Sequence, residues 1–194
     1  MKNDIWTSFL NPEILKANLI KASLYIAAFE MLKDSIIDHP KTLFTDGFNE
    51  EGWIVDENYK LKVLSRNKSP LYASLDWFKE METIKQADIE VFNSLKEYRN
   101  KLSHEMASSI FKGFDEEEFT KLFSELIILY EQIEKWWVIN FELAIDPEIN
   151  IENVDDVYPG SILMLKLMLD VALSGEEESW KYYNEYMNGF KDKV

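Results

Sequence analysis

Within Leu95-Lys96-Glu97-Tyr98-Arg99-Asn100-Lys101-Leu102-Ser103-His104-Glu105 an arginine and a histidine stand five positions apart. The first is a guanidinium that stays charged in apolar surroundings and holds anions through paired hydrogen bonds. The second is an imidazole whose ordinary titration range lies close to neutrality and suits proton transfer. On an ideal helix of about 100° per residue with Leu95 at zero, Phe92, Tyr98, Leu102 and Met106 fall within about 60° of it and form a core-facing arc. Arg99 lands inside that arc at about 40°, where a charged side chain needs an anionic partner. His104 lands near 180°, on a second stripe with Asn93, Asn100, Ala107 and Phe111. The two are then about 140° apart with a rise of about 7.5 Å. They converge if the helix bends, if the arginine reaches round, or if two chains share a cleft. Arg99 equally has a partner within reach of the sequence in Glu30, a carboxylate of the first helix.

The rest of the inventory removes most alternatives. There is no cysteine, and His39 and His104 are the only histidines. That leaves no thiolate or histidine-rich metal site and no cysteine nucleophile. The chain contains no H-E-x-x-H, G-x-S-x-G, phosphate-binding loop or G-x-G-x-x-G. A di-metal carboxylate bundle needs Glu-x-x-His pairs, and the residues three before the histidines are Ile36 and Lys101. No metal ligand set and no cofactor are expected. His39, in Asp38-His39-Pro40, reads as a structural residue at a helix end, where a cation meets the negative pole.

The elements that must position Arg99 and His104 are helices. Asn11-Pro12-Glu13 combines a side-chain cap, a tolerated first-turn proline and a favourable acid. The helix it starts is apolar on more than one side and is predicted to stop before Pro40. From 41 to 69 the helical period disappears among turn residues, around Trp53-Ile54-Val55 and Leu61-Lys62-Val63-Leu64. This insert reads as a long loop with room for a small β-hairpin. Periodicity returns after Pro70 and again from about Gln86 to Phe111, and Gly113-Phe114-Asp115 stops that helix. Asp115 and Glu118 are spaced as a capping box opening the next, which reaches about Ala144. An acidic loop follows to Pro159-Gly160, then a helical hairpin over 161–173 and 176–190 hinged at Ser174-Gly175. The fold expected is an all-α bundle of five to six helices: 1–145 with the insert 41–69, and 146–194 packed on the same domain.

A chain of 194 residues with 46% apolar and 14% aromatic content has the material for one substantial core. Six glycines and five prolines are too few for the turns of a β-sandwich. No signal peptide or membrane span is read, and the cytoplasm is the expected location. The formal charge is −15, which opposes non-specific attraction to a polyanion, so a nucleic-acid contact has to be local. Lys96, Arg99, Lys101 and Lys112 against Glu97 and Glu105 make the 96–112 segment a mildly basic island.

Arg99-Asn100-Lys101-Leu102-Ser103-His104, late in a helix of an all-α chain, resembles the R-N-x-x-x-H form of the R-x(4 to 6)-H motif of the HEPN superfamily. These are small helical domains found in ribonuclease toxins and antiviral effectors. Ser74-Leu75-Asp76-Trp77-Phe78 and Glu105 are similar to contexts found around that motif, and the resemblance spans roughly 12–145. It implies an HEPN-like bundle, a homodimer with paired motifs facing one cleft, and metal-independent cleavage of RNA. On that resemblance Arg99 holds a phosphate, and His104 is the general acid or base acting on a ribose 2'-hydroxyl or a leaving oxygen. Asn100 then orients substrate or histidine, Lys101 and Ser103 contact the RNA backbone, and a 2',3'-cyclic phosphate is the product. An antitoxin or another protein is an expected partner, and a membrane is not.

The tyrosine that one toxin subgroup carries two residues after the histidine is Met106 here, so control by nucleotidylation of that tyrosine is not implied. The insert and the terminal hairpin lie outside the core resemblance. The rival reading is a non-catalytic module: an HEPN-like RNA- or nucleotide-binding protein, or an acidic helical adaptor for a basic partner.

Overall fold

The computed structural model describes residues 10–50, 52–105, 108, 113–145, 156–173 and 179–191. Seven α-helices and one two-stranded antiparallel hairpin account for most of the described residues. Helix α1 (Pro12–Leu43) is the long central element. It starts as its sequence dictates, the Asn11 side chain accepting from the backbone N–H groups of Glu13 and Ile14 at 3.0 and 3.4 Å. It does not stop before Pro40. The proline is buried inside the helix, which continues to Leu43. Tertiary packing outweighs the local penalty there: His39 stacks on Trp137 with centroids 4.4 Å apart, and the Thr45 hydroxyl donates to the Lys41 carbonyl at 2.9 Å.

The insert contains the hairpin, but with one strand other than the sequence suggests. β1 (Thr45–Asn49) pairs with β2 (Gly52–Val55), Phe48 lying directly opposite Trp53. The Leu61–Leu64 run instead falls across the end of a short helix, α2 (Glu57–Lys62), and a following 3-10 turn (Leu64–Arg66). Helix α3 (Pro70–Glu80) and helix α4 (Gln86–His104) follow. α4 ends at His104, short of the expected Phe111. The expectations for Met106, Ala107 and Phe111 lie outside the described residues. Helix α5 (Glu116–Trp137) opens on Asp115, whose side chain accepts from the N–H groups of Glu117 and Glu118. It ends in a π-helical segment (Val138–Glu142). Helix α6 (Gly160–Leu173) packs on α1 and α5, and helix α7 (Lys181–Lys191) meets α6 through the Tyr182 hydroxyl, which donates to Asp170 at 2.7 Å.

The core lies between α1, α3, α4 and α5, with Ile162 and Leu165 of α6 closing one side. Tyr25 is its pivot: the buried hydroxyl donates to the Leu95 carbonyl at 3.2 Å and the ring meets Tyr98 edge-on at 4.9 Å. One turn further along α1, Phe29 stacks on Phe92 at 5.6 Å. These pairings fix the rotation of α4 against α1. Phe92, Leu95, Tyr98 and Leu102 are all buried, as the helical arc requires.

Candidate functional site

With α4 held this way, Arg99 faces α1. One Nη ion-pairs with Glu30 and the guanidinium carbon lies 5.9 Å from the Phe29 ring centroid. Nη1 donates to the Asn100 side-chain oxygen at 3.2 Å, and Nε is buried without a partner among the described residues. Glu30 also accepts from Lys33, one turn along the same helix. Burial works to raise the Glu30 carboxyl, but the hydrogen bonds from Lys33 and Arg99 outweigh it and hold the group below its ordinary range. The anionic partner that the position of Arg99 demands is therefore the first-helix carboxylate.

His104 stands exposed on the last turn of α4, on the side away from Glu30. It lines an open groove of about 650 Å³ between α4 and the first turns of α5, together with Asn100, Lys101, Tyr98, Glu105, Glu118 and Leu122. The α5 wall is clamped by two ion pairs. Lys101 Nζ reaches Glu118 at 3.2 Å, and Lys21 of α1 reaches Glu116 at 2.7 Å. Glu118 is thus a groove residue rather than the second half of a capping box, and only Asp115 caps the helix. Burial, followed by the carboxylates of Glu118, Asp115 and Glu116, pushes the Tyr98 phenol up to about 12, so it stays protonated at neutral pH and supplies no base.

The sequence-predicted residues accordingly divide. Asn100, Lys101 and His104 share the groove, Ser103 is exposed on the same turn, and Arg99 lies on the other side of the helix. Asn100 is the link, because it lines the groove and accepts from Arg99. Within one chain the arginine and the histidine are not brought together. Glu118, Glu97 and Ser94 complete the groove: Glu97 and Ser94 lie on α4 on the His104 side, whereas Glu118 was not legible from α4 alone, since it depends on the register of α5. The Lys33 partnership with Glu30 carried a local signal, a carboxylate and an ammonium three residues apart on a helix.

His39, the other imidazole, is a half-buried structural residue in the last turns of α1. Its Nε2 lies 2.7 Å from Glu134, which is buried and also accepts from Ser161. Burial tends to raise the Glu134 carboxyl, and hydrogen bonds from His39, Ser161 and Ser35 bring it below its ordinary range. This cluster ties α1, α5 and the start of α6 together.

Among the described residues no three histidine, aspartate or glutamate side chains converge to hold a metal ion, and no helix is long and apolar enough to cross a membrane. No protein-family model, curated protein or solved structure matches this chain.

Proposed function

We propose that this chain is a metal-independent endoribonuclease of HEPN type, a toxin or antiviral effector acting in the cytoplasm as a homodimer and restrained by an antitoxin or another protein partner. The observation that carries the reading is the groove, in which an exposed imidazole, an amide and an ammonium from the resembling segment share one wall. In this reading His104 takes the proton of a ribose 2'-hydroxyl. The 2'-oxygen bonds to phosphorus, the bond from phosphorus to the 5'-oxygen breaks, and a second imidazole gives a proton to that oxygen. In a dimer the second imidazole is the other copy of the same histidine. Lys101 and Asn100 face the phosphate directly, with Ser103 beside them. Arg99 supports Asn100 and holds phosphate itself when a phosphate replaces Glu30 as its anion.

The rival reading, a non-catalytic binding module, is favoured by one observation: the Arg99 guanidinium is already engaged by Glu30. Incubating the purified chain and His104→Ala with RNA in excess EDTA separates the two. Cleavage by the parent alone, leaving 2',3'-cyclic phosphate and 5'-hydroxyl ends, is the expected result. RNA left intact by both proteins, or cut equally by both, overturns the assignment.

A further inference from the structure

Helix α6 is apolar around most of its circumference, yet only Ile162 and Leu165 are fully buried. An all-round apolar helix of a folded chain normally disappears into a core. Here Leu163, Met164 and Val171 keep 49%, 54% and 43% of their surface exposed with every described element in place. With Leu167 they fall at the i, i+1, i+4 and i+8 positions of one stripe, the spacing that seats against another helix. Trp180 and Tyr183, packed edge to face at 5.3 Å, add exposed aromatic surface just before and within α7. Exposed apolar surface on this scale marks an interaction surface.

Charge identifies its occupant. The chain carries −15, yet the only ionised residues of α6 are Lys166 and Asp170, one of each sign. Both are exposed, and at about 100° per residue both lie on the same flank of the stripe; Asp170 accepts from Tyr182 of α7 through one carboxylate oxygen, which leaves its charge and its other oxygen to a second partner. When two such helices meet antiparallel across a two-fold axis near residue 168, like flanks face each other. Lys166 of each copy then stands opposite Asp170 of the other, and Leu163 lies beside Leu173 of the other copy. The surface is complementary to itself, which is the condition for an isologous interface. It also joins two strongly acidic molecules at a neutral place. There is no basic cluster on α6 to select an anionic lipid surface or a polyanion.

We propose that the outer face of α6 is a self-docking surface on which a second copy of this chain seats antiparallel through Leu163, Met164, Leu167 and Val171. This goes beyond the ribonuclease reading and does not depend on it. Ser161 at the start of α6 bonds Glu134, which lies sixteen residues along α5 from Glu118 of the groove, or about 24 Å at 1.5 Å per residue. The start of α6 is therefore well away from Glu118, and no α6 residue lines the His104 groove.

Sedimentation equilibrium of the whole chain, with circular dichroism to confirm folding, tests it. The parent is expected to self-associate at micromolar concentration, as a dimer where α6 is the one contact made and as a larger species where the His104 clefts pair as well. Leu163→Glu and Val171→Glu should each weaken the α6 contact roughly tenfold or more, lowering the assembly by that step. Lys166→Glu alone should weaken it through like-charge contacts, and Lys166→Glu combined with Asp170→Lys should restore it. A parent that stays monomeric overturns the proposal. So does a dimer indifferent to the stripe substitutions and the charge swap, because its contact lies elsewhere, the His104 groove included. Neutral or anionic phosphatidylcholine and phosphatidylglycerol vesicles that capture the parent, but not Leu163→Glu, assign the surface to lipid and also overturn it. His104→Ala should leave the association unchanged whatever it does to RNA, so failure of one reading is distinguishable from failure of the other.

Discussion

Because the His104 imidazole stands exposed on a terminal turn while the Arg99 guanidinium is wedged between Glu30 and Phe29, truncating each has a different cost. Both members of the Arg99–Glu30 pair keep about a third of their side-chain surface in solvent, so the pair is worth less than a fully buried one. Arg99→Ala is expected to lower stability by about 1 to 3 kcal/mol, between the values for exposed and buried pairs. His104→Ala is expected to lower it by less than about 0.5 kcal/mol and, on the ribonuclease reading proposed above, to cut RNA cleavage by roughly 10² to 10⁴. Urea titrations beside cleavage rates check both. The Arg99 effect also has a pH signature. The Glu30 carboxyl is depressed in the folded state, so its contribution is complete above the ordinary carboxylate range and is lost as pH falls through the folded value. The stability gap between parent and Arg99→Ala should therefore narrow in acid. A gap that widens there would place the arginine's stabilising partner elsewhere.

At the scale of elements, the attachment of α6 depends on the buried Glu134 cluster as well as on Ile162 and Leu165. Glu134→Ala leaves His39, Ser161 and Ser35 without their shared acceptor, a loss on the order of 3 kcal/mol. Its carboxyl is also depressed, so this stabilisation is likewise present at neutral pH and lost towards acid. Amide hydrogen exchange should show α6 opening well before α4 in that variant. Uniform protection across both helices would mean that the two apolar anchors suffice. Helix starts at Asn11 and Asp115 were legible because a cap is local chemistry between a side chain and the next three backbone groups. The end of α1 was not, since the penalty at Pro40 is local and the packing that overrides it comes from α5, far along the chain. Strand β1, Thr-Asp-Gly-Phe-Asn, has no β-branched run, and its pairing is fixed by the facing Gly52–Val55 strand rather than by its own propensity. The site divides in the same way. The Arg99–Glu30 pair follows from an arginine placed in an apolar arc, whereas the Glu118 wall depends on how α5 lies across α4.

For the molecule as a whole, a charge of −15 sets how an RNA substrate would arrive. The groove does not reverse that field, for Glu97, Glu105 and Glu118 line it beside Lys101 and His104, and Lys101 is itself paired. Repulsion between the protein and a polyanion reaches about 30 Å at 0.01 M salt and only about 8 Å at 0.15 M. Adding salt over that window relieves the long-range term. It weakens only the one or two phosphate contacts that local cations make, each contributing about −0.7 to the logarithmic slope for a single strand. The two effects oppose each other, so kcat/KM for a single-stranded RNA should be nearly flat or rising with salt, with a slope no steeper than about −1. Cleavage rates at a series of potassium chloride concentrations measure this directly. A slope steeper than about −3 would require four or more lysines or arginines meeting phosphates together. The groove offers no such set, and that result would move the proposed RNA-binding surface away from His104.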